Sequence, residues 1–143
     1  MNKVAVLIGS KTDEKIIMNA EPYFKYFEID WELHILSAHR NPEEVSRFSK
    51  DAKKNGYSIL IGSAGMAAHL AGVIKAHTTL PVIGIPLPGG ILDGLDSLLS
   101  TLQMPKGVPV ATMSVGKSGA INAAVLCAEI LALNNENISK KLI

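Results

Sequence analysis

Lys3-Val4-Ala5-Val6-Leu7-Ile8, running straight into Gly9-Ser10, decides the fold. A strand exposed on one face alternates apolar and polar residues, and this one does not. Unbroken apolar character fits a strand inside a parallel sheet that helices cover on both sides. The run is too short for the apolar segment of a secretory leader. No apolar run in the chain approaches the ~20 residues needed to cross a bilayer.

Outward from this strand the same unit recurs. Residues 13–27 read as a helix, with Ile16, Ile17, Ala20, Phe24 and Phe27 near one face. Residues 31–36 are a second strand. Asn41-Pro42-Glu43-Glu44 then supplies an N-cap candidate, a proline at the first position and acids in the first turn. That helix runs to about Lys54, and Gly56 is its stop. Residues 57–62 give strand three, 66–77 helix three, and 81–85 strand four. A Gly/Pro-rich loop, 86–94, leads to a short helix over 96–102. Strand five spans 108–113 and a long helix 118–133. Asn134-Asn135 breaks that helix before a short helical tail at about 135–143. Alternating strands and helices imply right-handed crossovers and an α/β three-layer sandwich. The expected sheet is doubly wound, parallel and flavodoxin-like, with strand order 2-1-3-4-5. Five units are too few for an eight-fold barrel.

The 143 residues, 1–143, fit one catalytic domain. Charged residues are 19% and apolar residues 48%, so a packed core rather than disorder is expected. A formal net charge of +1 gives no field to gather nucleic acid or an anionic membrane, so any anion needs a local site. The lone Cys127 excludes an internal disulfide and suits a reducing compartment such as the cytoplasm.

In such sheets ligands sit beyond the carboxyl ends of the strands. Three loops there stand out: Gly9-Ser10-Lys11-Thr12-Asp13, Ser37-Ala38-His39-Arg40-Asn41-Pro42, and Ser63-Ala64-Gly65-Met66-Ala67-Ala68-His69-Leu70. Hydroxyls, free N–H groups, an arginine, two histidines and a carboxylate suit a phosphorylated, hydroxylated ligand. The first loop enters a helix, where N–H groups and the dipole favour an anion. Ser10 followed by Asp13 equally resembles a capping box, and both readings stand. Arg40 can grip phosphate through two parallel hydrogen bonds. His39 is the side chain whose proton moves most easily near neutral pH. A His-Arg pair is often solvated surface, but its place at a strand's carboxyl end before a capped helix favours a site. The third loop is small enough for close ligand approach, and His69 there is either a proton-transfer partner or a core histidine.

His34 and His77 read as packing or surface residues, Cys127 as an inert buried thiol, and the methionines as core candidates. Gly116-Lys117-Ser118 is no P-loop, because the glycine required five residues earlier is Ala111. Gly62-Ser63-Ala64-Gly65 lacks nucleophile-elbow spacing. No dinucleotide fingerprint follows strand one, and the histidines lack zinc spacing.

The three loops, with Leu95-Asp96-Ser97-Leu98-Leu99-Ser100, Gln103-Met104-Pro105, Gly107-Val108-Pro109-Val110-Ala111-Thr112 and Asn122-Ala123, resemble the bacterial-type class I phosphoribosylaminoimidazole carboxylase catalytic-subunit family. The likeness runs from about Val4 to Leu131, with separate motifs in the family's order. It implies an isomerase of purine (IMP) biosynthesis that converts N5-carboxyaminoimidazole ribonucleotide to 4-carboxy-5-aminoimidazole ribonucleotide. It further implies a homo-octamer with sites between subunits, no metal and no organic cofactor. A small-molecule ribonucleotide is the partner, and a second enzyme that forms the carbamate substrate accompanies it. By the same resemblance Ser10, Thr12, Ser37 and Arg40 hold the phosphate, and Asp13 takes ribose hydroxyls. Ala38 and the Ser63, Ala64, Gly65, Ala67, Ala68 and Leu70 loop bind the base and its carboxylate. His39 is the general acid/base, with His69 close by. The 86–94 loop shapes the site, as does Gln103-Met104-Pro105 from a neighbouring subunit.

Four departures from the family pattern are visible. Thr12 stands where serine is usual, Met66 where glycine is usual, and Ala71 where proline is usual; the C-terminal tail is shorter. Two rivals remain. A second branch of the family carboxylates aminoimidazole ribonucleotide directly with CO2, but lacks the Ala67-Ala68-His69-Leu70 run. A non-catalytic flavodoxin-like nucleotide-binding module would offer aromatics to a flavin, and only 5% of these residues are aromatic.

Overall fold

The strands expected from the apolar runs assemble into one all-parallel sheet in the order β2-β1-β3-β4-β5. In the computed structural model, which describes residues 2–143, these are β1 (Lys3–Ile8), β2 (Asp30–Ile35), β3 (Ile59–Ala64), β4 (Val82–Pro86) and β5 (Ala111–Thr112). Met1 lies outside the described residues. This is the doubly wound, flavodoxin-like order.

Residues of β1 divide by parity, as a strand covered on both faces requires. Val4, Val6 and Ile8 join one core with Phe24, Cys127 and Leu131. Ala5 and Leu7 join the other with Val45, Leu70 and Ile74. The first layer is built by α1 (Glu14–Ile17), α2 (Glu21–Tyr26), α6 (Lys117–Ala132) and α7 (Glu136–Lys141), the second by α3 (Pro42–Asp51) and α4 (Leu70–Ala76). α5 (Leu95–Leu102) packs on β4 and β5. Gly62 of β3 lies so close to α4 that a Cβ there would sit 2.8 Å from the Ala71 Cα. Only glycine permits that approach.

Four expectations need correction. The helix over 13–27 is interrupted: 3-10 turns at Lys11–Asp13 and Met18–Ala20 flank α1. Pro22 is the cause, since its ring clashes with the carbonyl of Met18 four residues back and it donates no hydrogen bond. α3 ends at Asp51, and turns then lead to Gly56 at φ 91°. The third helix starts at Leu70, not 66, because Met66 is left-handed at φ 54°. β5 is two residues rather than six; Pro109 has no N–H for the ladder, and the segment is at the sheet edge.

The tail is helical and docked. Asn135 Oδ1 accepts from the Ile138 N–H at 3.1 Å, and Ile138 is buried in the core. Lys141 pairs with Glu28 at 2.8 Å and donates to the Tyr26 carbonyl. Among the described residues, no helix is long and apolar enough to cross a membrane.

Candidate active site

Strand register brings the loops together. Ile8 pairs with Ile35 on one side and Ser63 on the other, and Ala64 pairs with Pro86. The loops after β1, β2, β3 and β4 therefore leave the sheet at one level. They enclose a cavity of about 380 Å3, within the range of small-molecule sites.

The β2–α3 loop is held by its own backbone. Ser37 Oγ accepts from the N–H groups of His39 (3.3 Å) and Arg40 (3.2 Å). Asn41 precedes α3, yet its side chain makes no cap bond; Oδ1 instead accepts from the Ser37 N–H at 3.1 Å. The expected N-cap thus closes the loop rather than the helix. His39 and Arg40 are exposed, and among the described residues the Arg40 guanidinium has no ion-pair or hydrogen-bond partner. An unpaired, exposed guanidinium is available to grip a phosphate through two parallel hydrogen bonds.

The β3–α4 loop brings the second imidazole. His39 Nε2 and His69 Nδ1 are 2.8 Å apart, with the rings edge to face at 87°. Such a bond holds one proton between the two nitrogens, so at most one ring is imidazolium while it lasts. His69 belongs to the cavity wall and is not a core histidine. Met66, beside it, is 67% exposed and lines the cavity, so it is not a core methionine. A left-handed conformation costs a non-glycine residue roughly 1–2 kcal/mol. That conformation explains why glycine is the usual occupant.

In the β1–α1 loop Ser10 Oγ lies 2.9 Å from Thr12 Oγ1 and accepts from the Thr12 N–H. Ser10 is thus a cap, and its side chain also lines the cavity. Partial burial raises the Asp13 carboxyl above its ordinary range, and a backbone hydrogen bond with Ser10 acts the other way.

Of the residues singled out from sequence, Ser10, Asp13, Ser37, Ala38, His39, Arg40, Ala64, Gly65, Ala67, His69 and Leu70 line the cavity. Thr12, Ser63 and Ala68 do not. Thr12 is exposed and reaches the site only through Ser10. Ser63 is buried and donates to the Ile85 carbonyl at 2.9 Å. The buried Ala68 donates its N–H to Ser100 Oγ at 2.9 Å. Gly9, from the first of the three loops, also lines the cavity, as do Leu87, Pro88, Gly89 and Gly90 of the 86–94 loop expected to shape the site. None of these five was assigned a role of its own, although Gly9 follows β1 and Leu87–Gly90 follows β4 at the same sheet edge.

Other titratable groups lie elsewhere. Glu32 and His34 of β2 are in contact, Tyr57 before β3 also contacts Glu32, and Glu32 pairs with Lys3 at 2.8 Å. The Lys3 hydrogen bond, followed by that of Tyr57, holds the Glu32 carboxyl at about 2. His77 ends α4 and contacts the Val73 carbonyl. Burial pushes the Cys127 thiol up, as an inert thiol requires. Among the described residues, no three His, Cys, Asp or Glu side chains are grouped to hold a metal ion.

A family model described as AIR carboxylase matches residues 3–143. An N5-carboxyaminoimidazole ribonucleotide mutase of Saccharolobus solfataricus is 48% identical over 99% of this chain and 89% of its own length. The mutase of Escherichia coli K12 is 42% identical over 98% of this chain and 83% of its own. Among solved structures, PurE of Treponema denticola superposes with a TM-score of 0.87 at 27% identity, covering 98% of this chain and 86% of that one.

Proposed function

The chain belongs to the AIR carboxylase family, and we propose that it is a mutase converting N5-carboxyaminoimidazole ribonucleotide to 4-carboxy-5-aminoimidazole ribonucleotide. The observation that carries this reading is the bonded His39–His69 pair on a cavity wall beside the unpaired Arg40. The mutase names of relatives at 42–48% identity support it.

The chemistry needs one proton given and one taken back. Protonation of the exocyclic nitrogen lets the carbamate C–N bond break, giving CO2 and a neutral aminoimidazole ribonucleotide. Carbon 4 of that electron-rich ring attacks the CO2, and loss of the C4 proton restores the ring. His39 gives the first proton and accepts the second, so the pair ends as it began. Holding CO2 beside the ring supplies the high effective concentration that recombination needs. Arg40 anchors the phosphate, with Ser37 and with Ser10 backed by Thr12. Asp13 accepts from ribose hydroxyls, and the small residues Ala64, Gly65 and Ala67 let the base approach the backbone. No metal or organic cofactor takes part.

The whole chain acts as one catalytic domain. It works as a homo-oligomer, an octamer by family resemblance. What supports assembly is the outer face of α5: Leu95, Leu99 and Leu102 are 39–48% exposed, and Ile91 and Leu92 before it 66% and 81%. Such a contiguous stripe next to the cavity mouth fits a second copy of the chain. A cytoplasmic enzyme fits a chain whose lone cysteine is a free thiol. A partner enzyme must supply the carbamate.

Turnover of the carbamate ribonucleotide by purified protein, without added bicarbonate, tests the reading. Turnover of aminoimidazole ribonucleotide only, and only with added bicarbonate, would instead assign direct carboxylation.

A further inference from the structure

α5 is turned inside out. Leu95, Leu99 and Leu102 are exposed and Leu98 is half-buried, while Ser97 and Thr101 are buried. A surface helix ordinarily buries its apolar stripe. Two hydroxyls of α5, one turn apart, reach two different loops of the site. Ser97 Oγ donates to the Leu87 carbonyl at 2.7 Å. Ser100 Oγ accepts from the Ala68 N–H at 2.9 Å. Its own hydrogen has its shortest contact, 2.7 Å, with the Asp96 carbonyl four residues back. Back-bonding of that kind is common for helical serines. The bond from Ala68, 32 positions away, is not local and satisfies an N–H that is otherwise shut off from water. The two loops are also joined directly, since the Leu87 N–H donates to the Ala64 carbonyl at 3.0 Å. Hydrogen bonds thus run in a circuit from Ala64 through Leu87 and Ser97 along α5 to Ser100 and Ala68. Ala68 is the neighbour of His69, whose ring meets His39.

We propose that Ser97 and Ser100 are positioning residues: through Leu87 and Ala68 they fix the two loops against each other and set where His69 stands against His39. The proposal rests on the catalytic reading of the histidine pair. Neither serine touches the cavity, so the effect runs through backbone placement alone. Misplacing a reacting group by about 1 Å can cost roughly 100-fold in rate.

The test compares Ser100→Ala, Ser100→Thr and Ser97→Ala with wild type, in the full chain. It reads kcat and KM for the carbamate ribonucleotide and, by NMR, hydrogen exchange of the Ala68 amide. Ser100→Ala should lower kcat about 10- to 100-fold and leave KM within roughly threefold, because the phosphate anchors lie on other loops. Ala68 exchange should rise at least about tenfold as its bond is lost. Ser100→Thr, which keeps the oxygen, should recover most of kcat, and Ser97→Ala should lower kcat without exposing Ala68. Unchanged kcat in Ser100→Ala, or unchanged Ala68 exchange, overturns the proposal. A wild type that fails to turn over the carbamate overturns the catalytic reading instead, and Ala68 exchange still decides whether Ser100 holds the loop.

Discussion

His39 Nε2 is hydrogen-bonded to His69 Nδ1 at 2.8 Å, though the two residues are thirty positions apart. They come from the loops after β2 and β3, strands that flank β1 without pairing with each other. The contact therefore depends on the register of three strands and on where α4 begins.

Replacing His69 with alanine leaves His39 free to rotate and removes its partner for the shared proton. One neutral hydrogen bond is worth about 1 kcal/mol net, so kcat should fall about fivefold or more with KM little changed. Steady-state kinetics check this, and an unchanged kcat would make His69 a bystander.

Arg40→Ala should act on binding. Charge-assisted bonds to phosphate contribute about 1.5–3 kcal/mol, so affinity should weaken by roughly 10- to 150-fold. Calorimetric titration with a ribonucleotide and with the matching nucleoside separates the contributions. The nucleoside should bind wild type and variant alike.

Acid stability should depend on Glu32. Its carboxyl sits at about 2 in the folded chain because of Lys3 and Tyr57, below the ordinary value of 4.5. A depressed carboxyl contributes stability above its unfolded value and loses it as pH falls. Wild type should therefore lose stability relative to Glu32→Gln between about pH 4.5 and pH 2. Denaturant titrations of both across that window provide the check. The loss should be small, since the side chain is 41% exposed.

Much of this arrangement was legible in the residues. Val4 to Ile8 announced a strand covered on both faces, and Asn41-Pro42 fixed where α3 starts. The carboxyl-end rule then led to loops that line the cavity. What remained hidden was set by long-range contacts or by backbone geometry. Ser63 faces Ile85 rather than the cavity because the β3–β4 pairing puts those residues side by side. Ala68 turns its N–H to Ser100, a partner no local pattern specifies. Met66 adopts φ 54°, which its side chain alone would argue against. Pro22, by contrast, was in plain sight, and a proline four residues beyond Met18 is sufficient reason for a helix to break there.

His39→Ala addresses the central claim most directly. With the carbamate ribonucleotide as substrate, kcat should fall about 100- to 10,000-fold, the range a positioned acid–base group supplies. Calorimetric affinity for 4-carboxy-5-aminoimidazole ribonucleotide should stay within roughly threefold of wild type, because Arg40 and its hydroxyl neighbours remain. Near-wild-type turnover by this variant, or a loss that lies in affinity alone, would contradict the account.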